Sequence, residues 1–235
     1  MAIASNSNPR KAITKETVQV GKFEWFYRES LPENAPAGSP QQASAQNPVV
    51  CLHGLVSQSY SWRNTLPAIA AETGRRAIAP DWLGMGFSER PDRFDFPYTP
   101  EALLEGLEQF LDALDIQTCV LVAQGFVGSV GIQFALRNPD RIERLVICNA
   151  PISTDHKLPF KIKQMSWPFI GDMITQDPLL VDRTLEGGGP YQVDDDDLDV
   201  YRRPFLQTSD TGRALLFTVK RLDLPTVTAE IQKGL

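Results

Sequence analysis

The sequence predicts an α/β fold: a mostly parallel, doubly wound sheet with helices on both faces and a helical cap set after its later strands. Three observations predict it. Short, continuously apolar runs at 49–52, 77–79, 119–123 and 145–148 have the length and composition of strands buried on both faces. Segments of helical period separate them, the alternation expected of βαβ units. After Asn149-Ala150-Pro151 the pattern changes to short amphipathic helices broken by Pro168, by the run from Gly187 to Pro190 and by Pro204, with no further strand signal before Leu235.

Composition sets the outer bounds. With 42% hydrophobic and 22% charged residues among 235, the chain can form one sizeable core plus a small insertion. A formal net charge of −6 without a Lys/Arg-rich run argues against nucleic acid or anionic lipid as a partner. Residues 1–15 are small and polar, and no stretch approaches the ~18 consecutive apolar residues of a spanning helix. The expected location is the cytoplasm, or the chloroplast stroma in a plant or alga. Cys51, Cys119 and Cys148 lie inside apolar runs rather than at disulfide or zinc spacings, and read as reduced core residues. No metal or cofactor is expected.

The elements follow in order. Residues 17–30 alternate apolar and polar side chains around Gly21, with Val18, Val20, Phe23, Trp25 and Tyr27 marking the buried side of an edge hairpin. Residues 31–47, rich in Pro, Ala, Gln and Ser, read as a loop insertion. The helix ahead of the third run is well specified. Thr99 caps it, Pro100 suits its first turn, Glu101 faces the positive end of its dipole, and Leu103, Leu104, Leu107, Phe110, Leu111 and Leu114 make one apolar stripe. The next helix is expected from Val127 until just before Asn138-Pro139. This organisation divides the chain into a core at 1–152 and a helical cap at 153–235.

The run from Val49 to Leu55 reads as a strand ending in His53-Gly54, where a small residue lets the backbone turn and aim an amide above the sheet. Such amides form oxyanion holes in acyl-transfer enzymes. The second run continues as Asp81-Trp82-Leu83-Gly84-Met85-Gly86-Phe87-Ser88, with glycines suited to a tight turn after a strand. The order of His53-Gly54, then Ser59-Tyr60-Ser61-Trp62-Arg63, then Asp81 to Ser88 resembles the α/β-hydrolase fold superfamily. The Ser-Tyr-x-Trp-Arg element makes it most similar to the haloalkane dehalogenase-like branch. The resemblance is close over 48–152 and holds in outline through the cap.

That resemblance implies a nucleophile on the sharp turn between the strand at 119–123 and the following helix. A gap-free register through Phe134 to Pro139 and the strand at 144–148 puts this position on Gly125, which has no side chain to attack with. The aromatic halide-binding position falls on Phe126, which has no N–H donor in its ring; the polar one after His-Gly falls on Leu55; and the acid that one subgroup carries after the next strand falls on Asn149. The family's base histidine follows its last strand, whereas the two histidines here are His53, in the oxyanion-type loop, and His156, at the root of the cap. Both read as structural or solvated. Ser129 lies inside the helix, four residues past the elbow, and reads as a packing residue with Gly128 and Gly131. Asp81 is expected to tie down its own loop. The acidic run Asp194 to Asp197 lacks the spacing of a calcium loop and reads as a solvated helix start.

The resemblance also implies two further βα units, roughly 60 residues, beyond Leu235, so that an oligomer or a complementing C-terminal segment is an expected partner. The functional expectation is a catalytically degenerate protein of this fold. It would bind a small apolar molecule in a pocket at Trp62, Gln124 and Phe126, beneath an oxyanion-type loop of His53, Gly54, Leu55 and Phe126. The alternative is a hydrolase of ester or carbon–halide bonds in its full-length form, or a triad-independent enzyme that uses the oxyanion loop with water as attacker.

Overall fold

The computed structural model describes residues 13–33, 46–177, 179–187 and 192–235. Most of the loop expected at 31–47, and Gly188 to Pro190, lie outside the described residues. The sheet runs in the order β1-β2-β4-β3-β5-β6, from β1 (Ile13–Val20), β2 (Phe23–Ser30), β3 (Val49–Leu52), β4 (Ala77–Pro80), β5 (Cys119–Gln124) and β6 (Ile142–Cys148). Strand β3 is parallel to both β4 and β5, and β5 is parallel to β6, whereas the antiparallel β1–β2 hairpin joins antiparallel to β4. The sheet is the mostly parallel one expected. Every residue of β3 and β4 is buried, the physical reason these runs carry no alternation.

The alternation in the hairpin has the predicted cause. Val20, Trp25 and Tyr27 are buried, and the rings of Trp25 and Tyr27 lie 5.2 and 5.7 Å from that of Phe110. Phe110 belongs to α2 (Pro100–Ala113), which follows α1 (Thr65–Thr73) in the chain. Thr99 Oγ1 accepts the Ala102 N–H at 3.3 Å to cap α2. Leu103, Leu107, Phe110 and Leu111 are buried along one stripe, and burying each stabilises the fold by about 1.5–3 kcal/mol.

Two boundaries differ from expectation. Helix α3 (Gly125–Arg137) begins two residues before Val127, because the turn out of β5 is completed within one residue. Strand β6 starts at Ile142 rather than near Leu145. Ile142 pairs with Cys119, while the next two residues, Glu143 and Arg144, are exposed and so mask the strand's first half. Among the described residues β6 is the last strand of the sheet, with Val146 44% exposed.

Beyond β6 lie α4 (Phe160–Gln164), α5 (Ile170–Thr175), α6 (Leu180–Leu185), α7 (Asp195–Gln207), α8 (Asp210–Arg221) and α9 (Leu224–Gly234). Ile162, Met165, Leu180, Val181, Tyr201, Leu215 and Val219 form a small core seated on Val56, and Leu55 touches both this core and the main one. Pro204 does not break α7 as expected. Its missing N–H leaves the Val200 carbonyl without a helical donor, and Gln58 Nε2–H supplies one at 2.8 Å. The last helix leaves the cap: Val227 and Ile231 of α9 pack with Ala123 and Ile132 of the core, and Glu230 pairs with Arg137 of α3 at 2.6 Å.

Candidate functional site

The carboxyl ends of β3, β4 and β5 carry the residues singled out by the sequence. At the end of β5, Gly125 has φ +68°, the left-handed conformation that glycine adopts without a Cβ penalty. A Cβ built there would stand 3.0 Å from Gly54 Cα. The ends of β3 and β5 therefore meet backbone to backbone. The amides of the first turn of α3 have no intrahelical partner and lie at the positive end of its dipole, so they suit a developing negative charge. Gln124, Gly125 and Phe126 are half-buried.

Gly125 itself has no side chain, and the other candidates, Ser129 and His53, are engaged within the fold. Ser129 is fully buried, and its hydroxyl donates to the Phe126 carbonyl at 2.5 Å, a helix-internal bond. His53 is also fully buried. Its Nε2 accepts the Trp82 N–H at 3.2 Å, so the proton sits on Nδ1, 2.8 Å from the Gly54 carbonyl. Trp82 Nε1–H returns a bond to the His53 carbonyl at 3.1 Å. Burial holds the imidazole's pKa below its ordinary 6.5. With both nitrogens engaged, this ring fastens the loop and has no lone pair left to act as a base.

Asp81, at the end of β4, is fully buried. One carboxylate oxygen accepts the Ser59 N–H at 2.5 Å and the other the Phe87 N–H at 2.8 Å. Ser88 Oγ–H donates to the Asp81 carbonyl at 2.6 Å and accepts the Phe26 N–H at 2.9 Å. A Cβ on Gly86 would stand 2.1 Å from the carboxylate, which is how tightly the loop winds around it.

Other candidates fall elsewhere. Trp62, one of the expected pocket residues, packs with Val49, Cys51, Leu66, Ala77, Ala79 and Val122 in the layer between the sheet and α1. Asn149 is exposed with φ +51°, a conformation asparagine tolerates. His156 is exposed. Asp194 to Asp196 are exposed, but Asp197 is not solvated: it is 3% exposed and takes Tyr60 Oη–H at 2.8 Å and Arg63 Nη2–H at 2.5 Å. The conspicuous Ser59–Arg63 turn thus clasps the cap. The acidic run concealed this, because nothing in it marks which carboxylate reaches a cation.

A sheet of parallel strands, one of which turns sharply into a helix beneath a helical cap, defines the α/β-hydrolase class. Residues 47–179 match the family described as alpha/beta hydrolase fold, and the chain belongs to it. A haloalkane dehalogenase from Mesorhizobium japonicum is 33% identical over 174 residues, 70% of this chain and 55% of its own length. A cis-3-alkyl-4-alkyloxetan-2-one decarboxylase from Shewanella oneidensis is 38% identical over 103 residues, 43% of this chain and 32% of its own. The crystal structure of a haloalkane dehalogenase from Bradyrhizobium elkani aligns with TM-score 0.76 at 25% identity, covering 95% of this chain and 74% of that one. The chain spans about half or less of these curated relatives' length, and they carry different chemistries on related scaffolds.

Proposed function

We propose that this chain is a non-hydrolytic member of the haloalkane dehalogenase-like group, which holds a small apolar molecule above the ends of β3 and β5 without attacking it. The observation that carries this reading is Gly125. It stands on the strand-to-helix turn where the family register puts the nucleophile, and a Cβ added there would lie 3.0 Å from Gly54 Cα, so a side chain is crowded as well as missing. Ser129 and His53 are both committed to bonds within the fold. Leu55 and Phe126, half-buried and apolar, offer a ligand contact surface without a halide-stabilising donor on either side chain. The relatives whose names include haloalkanes make small apolar molecules the natural class to test.

The experiment pairs binding with turnover. A hydrophobic fluorescent probe is titrated into the protein, small haloalkanes and esters compete with it, and halide or acid release is followed in the same mixtures. Competition without release is expected, with the probe's affinity altered in Phe126→Ala and Leu55→Asn. Release above the uncatalysed rate would refute the non-hydrolytic reading. Unchanged affinity in both variants would move the ligand elsewhere.

A further inference from the structure

A cleft of about 320 Å³ opens on the face of the β1–β2 hairpin opposite α2, at the small end of the range for ligand pockets. Its walls include Lys15, Phe26, Arg28, Tyr60, Phe87 and Arg203, and neither Gly125 nor Phe126. The hairpin register explains the first part of the lining. Lys15 is paired directly with Arg28 across the ladder, so both side chains point to one face, and Phe26 lies two residues from Arg28 on the same side. Like charges placed directly opposite on paired strands repel each other. Neither Lys15 nor Arg203 has an ion-pair partner among the described residues.

Arg28 sharpens the point. Its side chain belongs to a residue only 2% exposed, yet Ser59 Oγ, at 2.5 Å, is the one hydrogen-bond acceptor it meets among the described residues, although a guanidinium carries five N–H donors. The rings of Phe26, Tyr60 and Phe87 flank it, with centroids 5.0, 5.1 and 5.7 Å from Cζ, which fixes the plane of the fork. Asp81 is the carboxylate that acts on Arg28, and its oxygens accept two backbone amides; Arg63, a further cation of the lining, is paired with Asp197. The lining thus carries four cations, Lys15, Arg28, Arg63 and Arg203, and no carboxylate among the described residues. Burial also works against the charge on Arg28, which an arriving anion would offset.

We propose that this cleft binds a small aryl acid, its anionic group held by Arg28, Lys15 and Arg203 and its flat body by Phe26, Tyr60 and Phe87. A planar carboxylate or a phosphate ester matches the guanidinium fork, and the aromatic walls favour a ligand with an apolar face over a bare inorganic ion. The site is independent of the elbow, so a failure here leaves the reading of Gly125 untouched.

The test is calorimetric titration of the full chain at low salt with 2-naphthoate, 2-naphthyl phosphate, neutral 2-naphthol and inorganic phosphate. Saturable binding of at least one aryl acid is expected, weakened by added salt, with naphthol and inorganic phosphate at least about tenfold weaker, the loss of one charge-assisted contact or of the ring's burial. Preference between the two acids identifies carboxylate or phosphate as the natural head group. Arg28→Gln is expected to abolish binding but is itself buried. The exposed pair therefore gives the decisive variant: Lys15→Glu with Arg203→Glu is expected to lower affinity at least about tenfold with an unchanged unfolding midpoint. Absence of saturable binding by either acid, equal binding of naphthol or inorganic phosphate, or an affinity unaffected by the charge-reversed pair would each overturn the proposal.

Discussion

The loops that leave β4 and β5 stand one strand apart at the same end of the sheet, and they are built in opposite ways. The β4 loop is wired through buried polar groups: Asp81 takes the Ser59 and Phe87 amides, Ser88 links the Asp81 carbonyl to the Phe26 amide, and His53 and Trp82 bond each other twice. The β5 turn has no side-chain cap and is shaped by two glycine backbones in close approach. A buried polar network stabilises only when it is complete, so the first loop is a rigid frame. The second is a bare helix start, half-buried at Gly125 and Phe126. A frame retained beside a turn with no attacking atom suits holding a molecule rather than cleaving it, which is the proposed reading.

The largest effect should come from breaking the frame. Asp81→Ala strips two amides of their acceptor and leaves buried Arg28 without its nearby carboxylate, so it should cost about 3–5 kcal/mol. Denaturant unfolding measures this, and a loss below about 1 kcal/mol would mean the wiring is not what holds the loop.

Next comes a direct comparison of the two turns. Gly86→Ala would drive a Cβ to 2.1 Å from the Asp81 carboxylate, whereas Gly125→Ala meets backbone at 3.0 Å; both sit at positive φ. Each should cost about 1–3 kcal/mol, with Gly86→Ala the worse. The reverse order in thermal or chemical unfolding would show the β5 turn to be the tighter of the two. Gly125→Asp should destabilise comparably and gain no turnover, since both ring nitrogens of His53 are already engaged.

A smaller effect is set by pH. His53 has a folded pKa depressed from 6.5 by burial, so the unfolded chain binds its proton first as pH falls. Its contribution is therefore fully present above 6.5 and declines below it. Unfolding free energy measured from pH 8 to 5 should fall through that window, and the slope should flatten in His53→Gln. An identical slope in the variant would assign the titration elsewhere.

The smallest concerns a contact remote from both loops. Arg75 and Asn47 hydrogen-bond the exposed carboxylate of Glu143 and hold its pKa near 2. Its stabilising effect is present above about 4.5 and fades as pH falls toward 2. NMR titration should find the low midpoint in the wild type, and a midpoint near 4.5 would show that the Arg75 pair does not persist in solution.

Much of this architecture was legible beforehand because separate signals agreed. Thr99-Pro100 and the leucine stripe specify α2 at once by cap, first turn and periodicity, and the fully buried β3 and β4 show their status by lacking alternation. What escaped needed a partner from another part of the chain. The tolerance of Pro204 depends on Gln58, and the burial of Asp197 depends on Arg63, more than a hundred residues away in sequence. Arg28 gave no signal, because a cation in an edge hairpin reads as solvent-facing until its pairing with Lys15 and the Tyr60 turn above it are known. That Gly125 lies on the turn between β5 and α3 was readable from register alone. Its crowding against Gly54 was not, since two strand ends set the distance.

A non-hydrolytic chain requires that the end of β5 offer no attacking atom. Intact-protein mass spectrometry on mixtures quenched during incubation with an activated ester, and separately with a haloalkane, measures this. The expected result is an unmodified mass at every time point, in the wild type and in Gly125→Ala alike. An acyl or alkyl adduct that forms stoichiometrically, persists in Gly125→Ala and disappears in Ser129→Ala would contradict it and make the buried serine the nucleophile.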